Sequence, residues 1–235
     1  VIGFLILSIP ILIVEWIIGK FNPYKKDISS LHLIQSVFRF ILWLTGVEVT
    51  VIGEELVPTD EAVLYIGNHR SFFDILLTYT RCPRLTGYIA KAEMEKIPLL
   101  SNWMHYLHCL FLDRKDIKKG LKTILSGIEL IKSGISVCIF PEGTRNKGEE
   151  LSLLPFHNGS FKIAEKTGCP IIPMSLNNTC DIFEGHFPFI KKTHVILEYG
   201  KPIYPKELDK DEKKRIGEYC SNIISETIHK NQALV

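Results

Sequence analysis

The fold is decided by the stretch AVLYIGNHRSFFDILLTYT, residues 62–80. Its first six residues form a short apolar run that predicts a buried β-strand, and the pattern over 72–80 predicts a helix. A strand that leads directly into a helix is the repeating unit of α/β proteins. The same alternation extends over 47–235. We therefore predict an α/β domain there, with a mostly parallel central sheet flanked by helices.

The other elements follow from the same patterns. Further strands are predicted at 47–52, 86–90, 135–140, 171–175 and 194–199. Further helices are predicted at 99–108, 117–133, 160–166 and 209–230. In an open sheet of this kind, reactive groups gather where the parallel strands end. The polar residues that follow each predicted strand are therefore the candidates for function.

Composition excludes several classes of protein. The chain has 28 Lys+Arg against 26 Asp+Glu, a net charge of +2, which argues against a nucleic-acid partner. Its 235 residues are 46% hydrophobic, which excludes a disordered chain and suits one main core. The six cysteines form no Cys-x-x-Cys pair and indicate buried thiols in a reducing compartment, with a disulfide framework as the alternative. His105 and His108 lie one helical turn apart, but nothing else converges on them, and we predict no metal site.

The amino-terminal run VIGFLILSIPILIVEWII, residues 1–18, contains one charged residue, Glu15. As a helix it would extend roughly 27 Å, close to the thickness of the hydrocarbon core of a bilayer, with a kink at Pro10. The sequence begins at Val1 and not at a methionine, which leaves a longer run open. A cleaved signal peptide fits less well because no basic segment precedes the run. Lys20, Lys25 and Lys26 follow it, and the positive-inside rule then places the rest of the chain in the cytoplasm.

A second apolar segment covers 31–44, and its polar residues recur at helical spacing on one narrow stripe. This pattern predicts a helix that lies in the membrane interface or packs against the first apolar helix. We therefore predict membrane-associated helices over 1–46. Whether the first run spans the bilayer or lies in its plane stays open. The alternative is that both segments are ordinary core helices of a soluble protein.

The first candidate for chemistry is His69, which directly follows the predicted strand 62–67. Asp74 lies five residues later, in the first turn of the predicted helix. A carboxylate there can hold one ring nitrogen and leave the other free to take a proton near neutral pH. The alternative is structural, since Ser71-x-x-Asp74 also fits a helix-capping box.

The second candidate is FPEGTR, residues 140–145, which ends the apolar strand 135–140. Gly143 lets backbone N–H groups approach a ligand, and the planar guanidinium of Arg145 suits a phosphate. The alternative is a plain surface turn with an exposed ion pair between Glu142 and Arg145. The segment is no phosphate-binding P-loop, because the required lysine is missing.

Two further cations, Lys91 and Arg114, also follow apolar runs at predicted strand ends. Together, these segments resemble the blocks of the glycerolipid acyltransferase family, specifically its 1-acylglycerol-3-phosphate acyltransferases. NHRSFFD at 68–74 fits the N-H-x4-D block, and FPEGTR fits the F-P-E-G-T-R block. The segment from Lys91 to Arg114 fits the block between them, and Ile-Pro-Met at 172–174 fits the last. The resemblance covers roughly 47–200.

The resemblance implies a reaction and a role for each matching residue. His69 would be the general base for a glycerol hydroxyl, oriented by Asp74, and the hydroxyl would attack an acyl thioester with no acyl-enzyme. The residues implied in the glycerol-phosphate pocket are Lys91, Arg114, Glu142, Gly143, Thr144 and Arg145. Residues 172–174 would wall the acyl side.

The implied substrates are lysophosphatidic acid and acyl-CoA or acyl-carrier protein, with phosphatidic acid as the product and no resident cofactor. The expected partners are membrane lipids rather than nucleic acid, and the expected location is the membrane, with the active site facing the cytoplasm. The chain departs from the pattern at Ser101 and His108, where glycine is common, and at His157, where lysine is usual. These departures leave the acceptor headgroup and the acyl-chain preference open.

The sequence leaves three alternatives open. The acceptor could be glycerol-3-phosphate or a different lysolipid. The same His-Asp pair could activate water in a lipid or thioester hydrolase, although the G-x-S-x-G motif of serine esterases is missing. A membrane-docked lipid-binding protein with an inactive site is the non-enzymatic alternative.

Overall fold

The computed structural model describes residues 2–235; Val1, the first residue of the apolar run, lies outside the described residues. The strands are β1 (Glu48–Ile52), β2 (Leu64–Gly67), β3 (Thr86–Lys91), β4 (Leu110–Leu112), β5 (Ser136–Ile139), β6 (Ile171–Asn177) and β7 (His194–Tyr199). The helices are α1 (Ile2–Leu7), α2 (Ile9–Phe21), α3 (Pro23–Thr45), α4 (Phe73–Tyr79), α5 (Leu100–Tyr106), α6 (Ile117–Lys132), α7 (Lys162–Thr167), α8 (Lys210–Lys214) and α9 (Ile216–Asn231).

The strands of residues 2–235 form one sheet in the order β1-β7-β6-β2-β5-β3-β4. Neighbouring strands are parallel except for β6 and β7, so the predicted mostly parallel sheet is confirmed. Because β7 runs against β6, and β1 runs with β7, the amino ends of β1 and β7 lie where the other strands finish. We call this side of the sheet, at which β2 to β6 end, the carboxyl edge.

Helices cover both faces of the sheet. One hydrophobic core joins α2, α3, α4 and α5 to one face, with Leu31, Leu77 and Trp103 among its buried members. A second core joins α6, α7 and α9 to the other face, where Phe161 and Ile224 are buried. The central strand β2 is buried along its whole length, as expected for an apolar run between two helical layers.

The elements predicted over 47–235 are present, with two differences. The strand β4 was expected only as a strand end before Arg114 and had no predicted range, because it has only three half-buried residues at the outer side of the sheet and shows no clear period. The single helix predicted at 209–230 is divided into α8 and α9, which meet at Arg215.

The helix predicted over 1–18, with a kink at Pro10, is present as two helical segments. Helical hydrogen bonds continue across their junction, from Ser8 N to Phe4 O at 2.8 Å and from Leu12 N to Ser8 O at 2.9 Å. The run is divided at Ser8 into α1 and α2, and Pro10 lies in the first turn of α2. Ser8 is buried, and its hydroxyl accepts a hydrogen bond from Trp103 Nε1 at 2.9 Å. The 13 residues of α2 extend only about 20 Å, which is shorter than the hydrocarbon core of a bilayer.

The helix α3 begins at Pro23, earlier than the predicted 31, because the side chain of Asn22 caps its first turn through Lys25 N. By length and mean hydropathy (1.3 over its most apolar window) α3 alone among the described helices could cross a membrane, and 22% of that window is buried. Its inner face, however, packs on the sheet domain. Gln35 Nε2 donates to Tyr79 O at 3.2 Å and to Cys82 O at 2.9 Å, both residues lying on or just after α4. The predicted boundary between 1–46 and 47–235 stays a prediction.

Candidate active site

The predicted histidine–carboxylate pair is formed. His69 follows β2 at the carboxyl edge, and its Nδ1 lies 2.7 Å from Asp74 Oδ2 in the first turn of α4. An ionised carboxylate only accepts hydrogen bonds, so we assign the ring proton to Nδ1. The second nitrogen, Nε2, then carries a lone pair and can take a proton from a substrate.

Asp74 also satisfies the local backbone. Its Oδ2 accepts hydrogen bonds from Arg70 N at 2.7 Å and from Ser71 N at 2.8 Å. The side chain is fully buried. Asp74 therefore holds the loop that leads into α4 and the imidazole together, and the capping interpretation and the orienting one are compatible.

Two further contacts hold His69 in place, one to its ring and one to its backbone. Its ring stacks on the ring of Phe140, with centroids 4.4 Å apart and an interplanar angle of 18°. Its backbone carbonyl accepts a hydrogen bond from Asn146 N at 2.7 Å. Phe140 directly follows β5, the neighbour of β2, so the position of the base is set by two adjacent strands.

Glu142 supports His69 from within the protein. One carboxylate oxygen accepts the backbone N–H of His69 at 2.7 Å, and the other accepts that of Leu154 at 2.9 Å. Burial raises the pKa of the Glu142 carboxyl, while these two hydrogen bonds act to lower it. Both oxygens are thus occupied by backbone groups. We assign Glu142 a positioning role, and the contact with a phosphate that the resemblance implies stays a prediction.

We expect Glu142→Gln to lower both the stability of the protein and its kcat. The amide nitrogen cannot accept a hydrogen bond, so one buried backbone N–H loses its partner at a cost of about 1–3 kcal/mol. The resulting displacement of the His69 side chain should lower kcat by about tenfold to a hundredfold. Thermal unfolding and steady-state kinetics measure the two effects. Glu149→Gln, at an exposed side chain, is the control, and unchanged Tm and kcat in Glu142→Gln would contradict the assignment.

Two predicted cations lie at the same edge. Lys91 is the last residue of β3, and Arg114 lies two residues after β4. These two strands are paired, and β3 also pairs with β5. Lys91 is exposed and lies 3.2 Å from Glu93. For Arg114, no carboxylate of residues 2–235 lies within 4 Å, and partial burial lowers its pKa. The charge of Arg114 is therefore available to an anion.

The turn Glu142–Arg145 brings Arg114 close to His157. Gly143 has a φ of +71°, and a Cβ built on it would lie 3.1 Å from the His157 ring and 3.8 Å from Arg114 Nε. Glycine is required here because a side chain would be strained and would fill the space between the two. Thr144 is exposed next to it. The cluster of Arg114, Gly143 and His157 is open to solvent on the side of Thr144.

The guanidinium of Arg145 already has partners within the protein, unlike that of Arg114. Its guanidinium lies over the ring of Phe72 at 3.7 Å, and its Nη1 donates to Glu184 Oε1 at 2.9 Å. The same carboxylate accepts hydrogen bonds from Ser71 Oγ at 2.6 Å and Phe72 N at 2.8 Å. The ion pair that the sequence suggested between Glu142 and Arg145 is not formed, because Glu142 is directed toward His69 and Glu184 takes its place.

Two residues that the sequence analysis did not assign hold the site together. Asn68 makes paired hydrogen bonds with the backbone of Leu176, at 2.9 Å in both directions, which fastens the end of β2 to β6. Glu184 bridges two segments that are far apart in sequence. Asn68 had a signal, since it is buried next to His69 and belongs to the N-H-x4-D block. For Glu184 the sequence contains no comparable signal.

The thiols are poorly suited to act as nucleophiles. Cys138 lies on β5 just before Phe140, and burial raises its pKa well above the usual range. Burial also raises the pKa of Cys82 and Cys109 to about 11. These groups are therefore protonated at neutral pH, and a thiol in that state is a weak nucleophile.

His108, one of the two histidines considered for a metal, has its Nε2 2.9 Å from Asp27 Oδ2 on α3.

An apolar groove of about 720 Å³ begins beside Phe140 and Gly143. One wall is the stripe of Leu121, Ile124 and Ile128 on α6, and the groove continues toward the far end of that helix. The segment 172–174, which the resemblance places on the acyl side, lies instead within β6 beneath the site, where Ile172 and Met174 are buried. Its predicted role stays a prediction.

Comparison with known proteins gives consistent similarities. A family model described as Acyltransferase matches residues 48–177. The 1-acyl-sn-glycerol-3-phosphate acyltransferase of Borreliella burgdorferi is 30% identical over 80% of this chain and 74% of its own length. That of Saccharomyces cerevisiae is 28% identical over 85% of this chain and 65% of its own length. The crystal structure of the 1-acyl-sn-glycerophosphate (LPA) acyltransferase PlsC from Thermotoga maritima superposes with a TM-score of 0.77 and 24% identity over 97% of each chain, which supports the fold.

Proposed function

The chain belongs to the acyltransferase family, and from this premise we propose that it acylates the sn-2 hydroxyl of 1-acylglycerol-3-phosphate, giving phosphatidic acid. The acyl group comes from a thioester, acyl-CoA or acyl-carrier protein. The observation that carries the proposal is the 2.7 Å contact between His69 and Asp74 at the carboxyl edge. The names of the similar proteins from B. burgdorferi and S. cerevisiae support the choice of acceptor.

The reaction follows from the geometry of the pair. His69 Nε2 takes the proton of the acceptor hydroxyl as its oxygen attacks the thioester carbonyl. The C–S bond then breaks, and the imidazolium returns the proton to the leaving thiolate. Asp74 stabilises the imidazolium while it exists, and general-base assistance of this kind contributes about 10²–10⁴-fold. No covalent acyl-enzyme is formed on this route.

The phosphate of the acceptor is held by cations of the carboxyl edge. Arg114 has a free charge, and Lys91 lies at the end of the adjacent strand. Fixing the phosphate there orients the glycerol hydroxyl toward His69, which is the positioning effect expected in such sites. The apolar groove beside Phe140 supports substrates that carry a long hydrocarbon chain.

The amino-terminal helices dock the enzyme on the cytoplasmic surface of a membrane. We propose that α2 and α3 lie in the interface rather than span it, because α2 is short and α3 is packed on α4 and α5. Both helices expose large apolar residues on the side away from the sheet, including Trp16, Phe40 and Trp43. Lysophospholipid and product can then move laterally instead of being extracted into water at about 0.8 kcal/mol per CH₂.

The arginines should affect binding of the acceptor more than turnover. We expect Arg114→Ala to raise the acceptor KM by about 10–100-fold, the value of a lost charge-assisted hydrogen bond. Arg145→Ala should also raise KM, but by less, because Glu184 already binds that guanidinium. Steady-state kinetics with varied acceptor measure both. Lys147→Ala, at an exposed cation nearby, is the control, and an unchanged KM in Arg114→Ala would refute the phosphate site.

A panel of donors and acceptors tests the function itself. The purified protein is offered acyl-CoA or acyl-carrier protein together with lysophosphatidic acid, glycerol-3-phosphate or an uncharged lysolipid, and the lipids are identified by mass spectrometry. We expect phosphatidic acid as the main product. Preferred acylation of a different acceptor would replace the proposed substrate, and free fatty acid formed without an acceptor would indicate a hydrolase.

A further inference from the structure

A loop at the carboxyl edge, between β6 and β7, holds three large apolar side chains in solvent. Phe187 is 74% exposed, Phe189 is 75% exposed and Ile190 is 53% exposed. Only Pro188 interrupts them, and Lys191 follows directly. We name residues 187–190 the apolar tip. Single exposed apolar residues are common, but a contiguous group of this size indicates a contact surface.

The loop has a defined conformation. The ring of Phe187 packs edge-on against Phe183, with centroids 5.4 Å apart. Phe189 N donates to His186 O at 2.8 Å, and Lys191 N donates to Ile182 O at 2.9 Å. These contacts close the base of the loop and keep the apolar tip directed outward.

The apolar tip adjoins the exposed end of α3. Lys192, two residues after the tip, lies against the helix cap at Gly46, where an added Cβ would be 3.6 Å from Lys192 Cγ. Its Nζ also lies 2.5 Å from Glu48. Trp43 and Leu44, in the last turn of α3, are both exposed. The loop that carries the apolar tip therefore returns to the sheet beside the end of α3 at which these two apolar side chains are exposed.

We propose that the apolar tip is a second membrane contact, which inserts among the headgroups of a bilayer that contains anionic lipid. Aromatic and branched side chains followed by lysines are the composition of an interfacial anchor. The apolar residues enter the boundary of the acyl chains, and Lys191 lies at the level of the phosphates. This inference rests on the proposed function, in which the acceptor reaches His69 from the bilayer.

The base of the loop is connected to the catalytic segment. Glu184, three residues before the tip, accepts hydrogen bonds from Ser71 Oγ and Phe72 N, which lie between His69 and Asp74 in sequence. A bilayer in contact with the tip is thereby held beside the catalytic pair. An acceptor that leaves this bilayer meets His69 without first crossing water.

The test compares binding and activity on vesicles. The full chain and a Phe187→Ser/Phe189→Ser variant are floated with phosphatidylcholine vesicles containing phosphatidic acid, and Leu234→Ser, at an exposed apolar residue of the carboxyl terminus, is the control. We expect the double variant to lose about tenfold in vesicle partitioning and about as much in kcat/KM for a vesicle-borne acceptor. Its kcat/KM for a short-chain acceptor dissolved as a monomer should stay within about twofold of wild type, as expected for surface substitutions away from the site.

A charge variant and the oligomeric state complete the test. Lys191→Gln should weaken binding to anionic vesicles by about fivefold and leave binding to neutral vesicles unchanged. Equal vesicle partitioning of the double variant and wild type would overturn the proposal. A wild-type dimer that the double variant loses would also overturn it, since the tip would then contact a second copy. If the wild type made no acylated lipid in any form, the proposed function would fail, while partitioning would still decide the role of the tip.

Discussion

His69→Ala should lower kcat by about 10²–10⁴-fold, the contribution of a positioned general base. The acceptor KM should change little, because the phosphate is held by other residues. The imidazole is the only group of the site that combines a free nitrogen with a carboxylate partner in the described part of the chain, so no neighbour can replace it. Steady-state kinetics with the purified variant and the product assay measure the loss.

A surface histidine provides the control for this substitution. His229 is exposed on α9, and its ring makes a hydrogen bond to Ser225 O of its own helix, so His229→Ala should retain wild-type kcat. Circular dichroism and Tm establish that both variants are folded. Wild-type turnover in a folded His69→Ala protein would remove the proposed base from the mechanism.

Asp74→Asn should reduce kcat almost as far, by about 10³–10⁴-fold, as in other histidine–aspartate pairs. The amide can still accept hydrogen bonds from Arg70 N and Ser71 N, but it cannot stabilise an imidazolium. Nδ1 contacts the same atom, Oδ2, so an amide that turned its NH₂ group toward Nδ1 would lose these two hydrogen bonds. It would also place the ring proton on Nε2 and remove the lone pair that the reaction needs. Kinetics at saturating substrate measure this effect.

Asp74→Ala separates the two roles of the carboxylate. It leaves the N–H groups of Arg70 and Ser71 without their acceptor, at about 1–3 kcal/mol each, so its Tm should fall below that of Asp74→Asn. Asp60→Asn, at an exposed carboxylate, is the control for both. If Asp74 were only a helix cap, Asp74→Asn would be fully active, and that result would contradict its role in catalysis.

The sequence predicted the parts of the site that depend on neighbours in the chain. His69 and Asp74 are five residues apart across one strand–helix junction, so their contact follows from local geometry. The ends of parallel strands meet at one edge, and for this reason Lys91 and Arg114 were also placed correctly at the carboxyl edge.

The missed features depend on residues that are distant in sequence. Glu184 contacts Ser71 across 113 positions, and no pattern in one sequence relates the two. Trp103 donates a hydrogen bond to the buried hydroxyl of Ser8 from another helix, a contact that apolar periodicity does not reveal. The orientation of Glu142 is set by backbone N–H groups, and these carry no sequence signal at all.

The direct attack of an acceptor hydroxyl, activated by His69, is tested by offering the enzyme its thioester donor with and without acceptor. Release of the free thiol and the intact mass of the protein are followed together. We predict that without acceptor no thiol appears and the protein gains no acyl group, and that with lysophosphatidic acid thiol and phosphatidic acid form in equal amounts. An acylated protein that passes its acyl group to the acceptor, or fatty acid released from the donor alone, would contradict this mechanism.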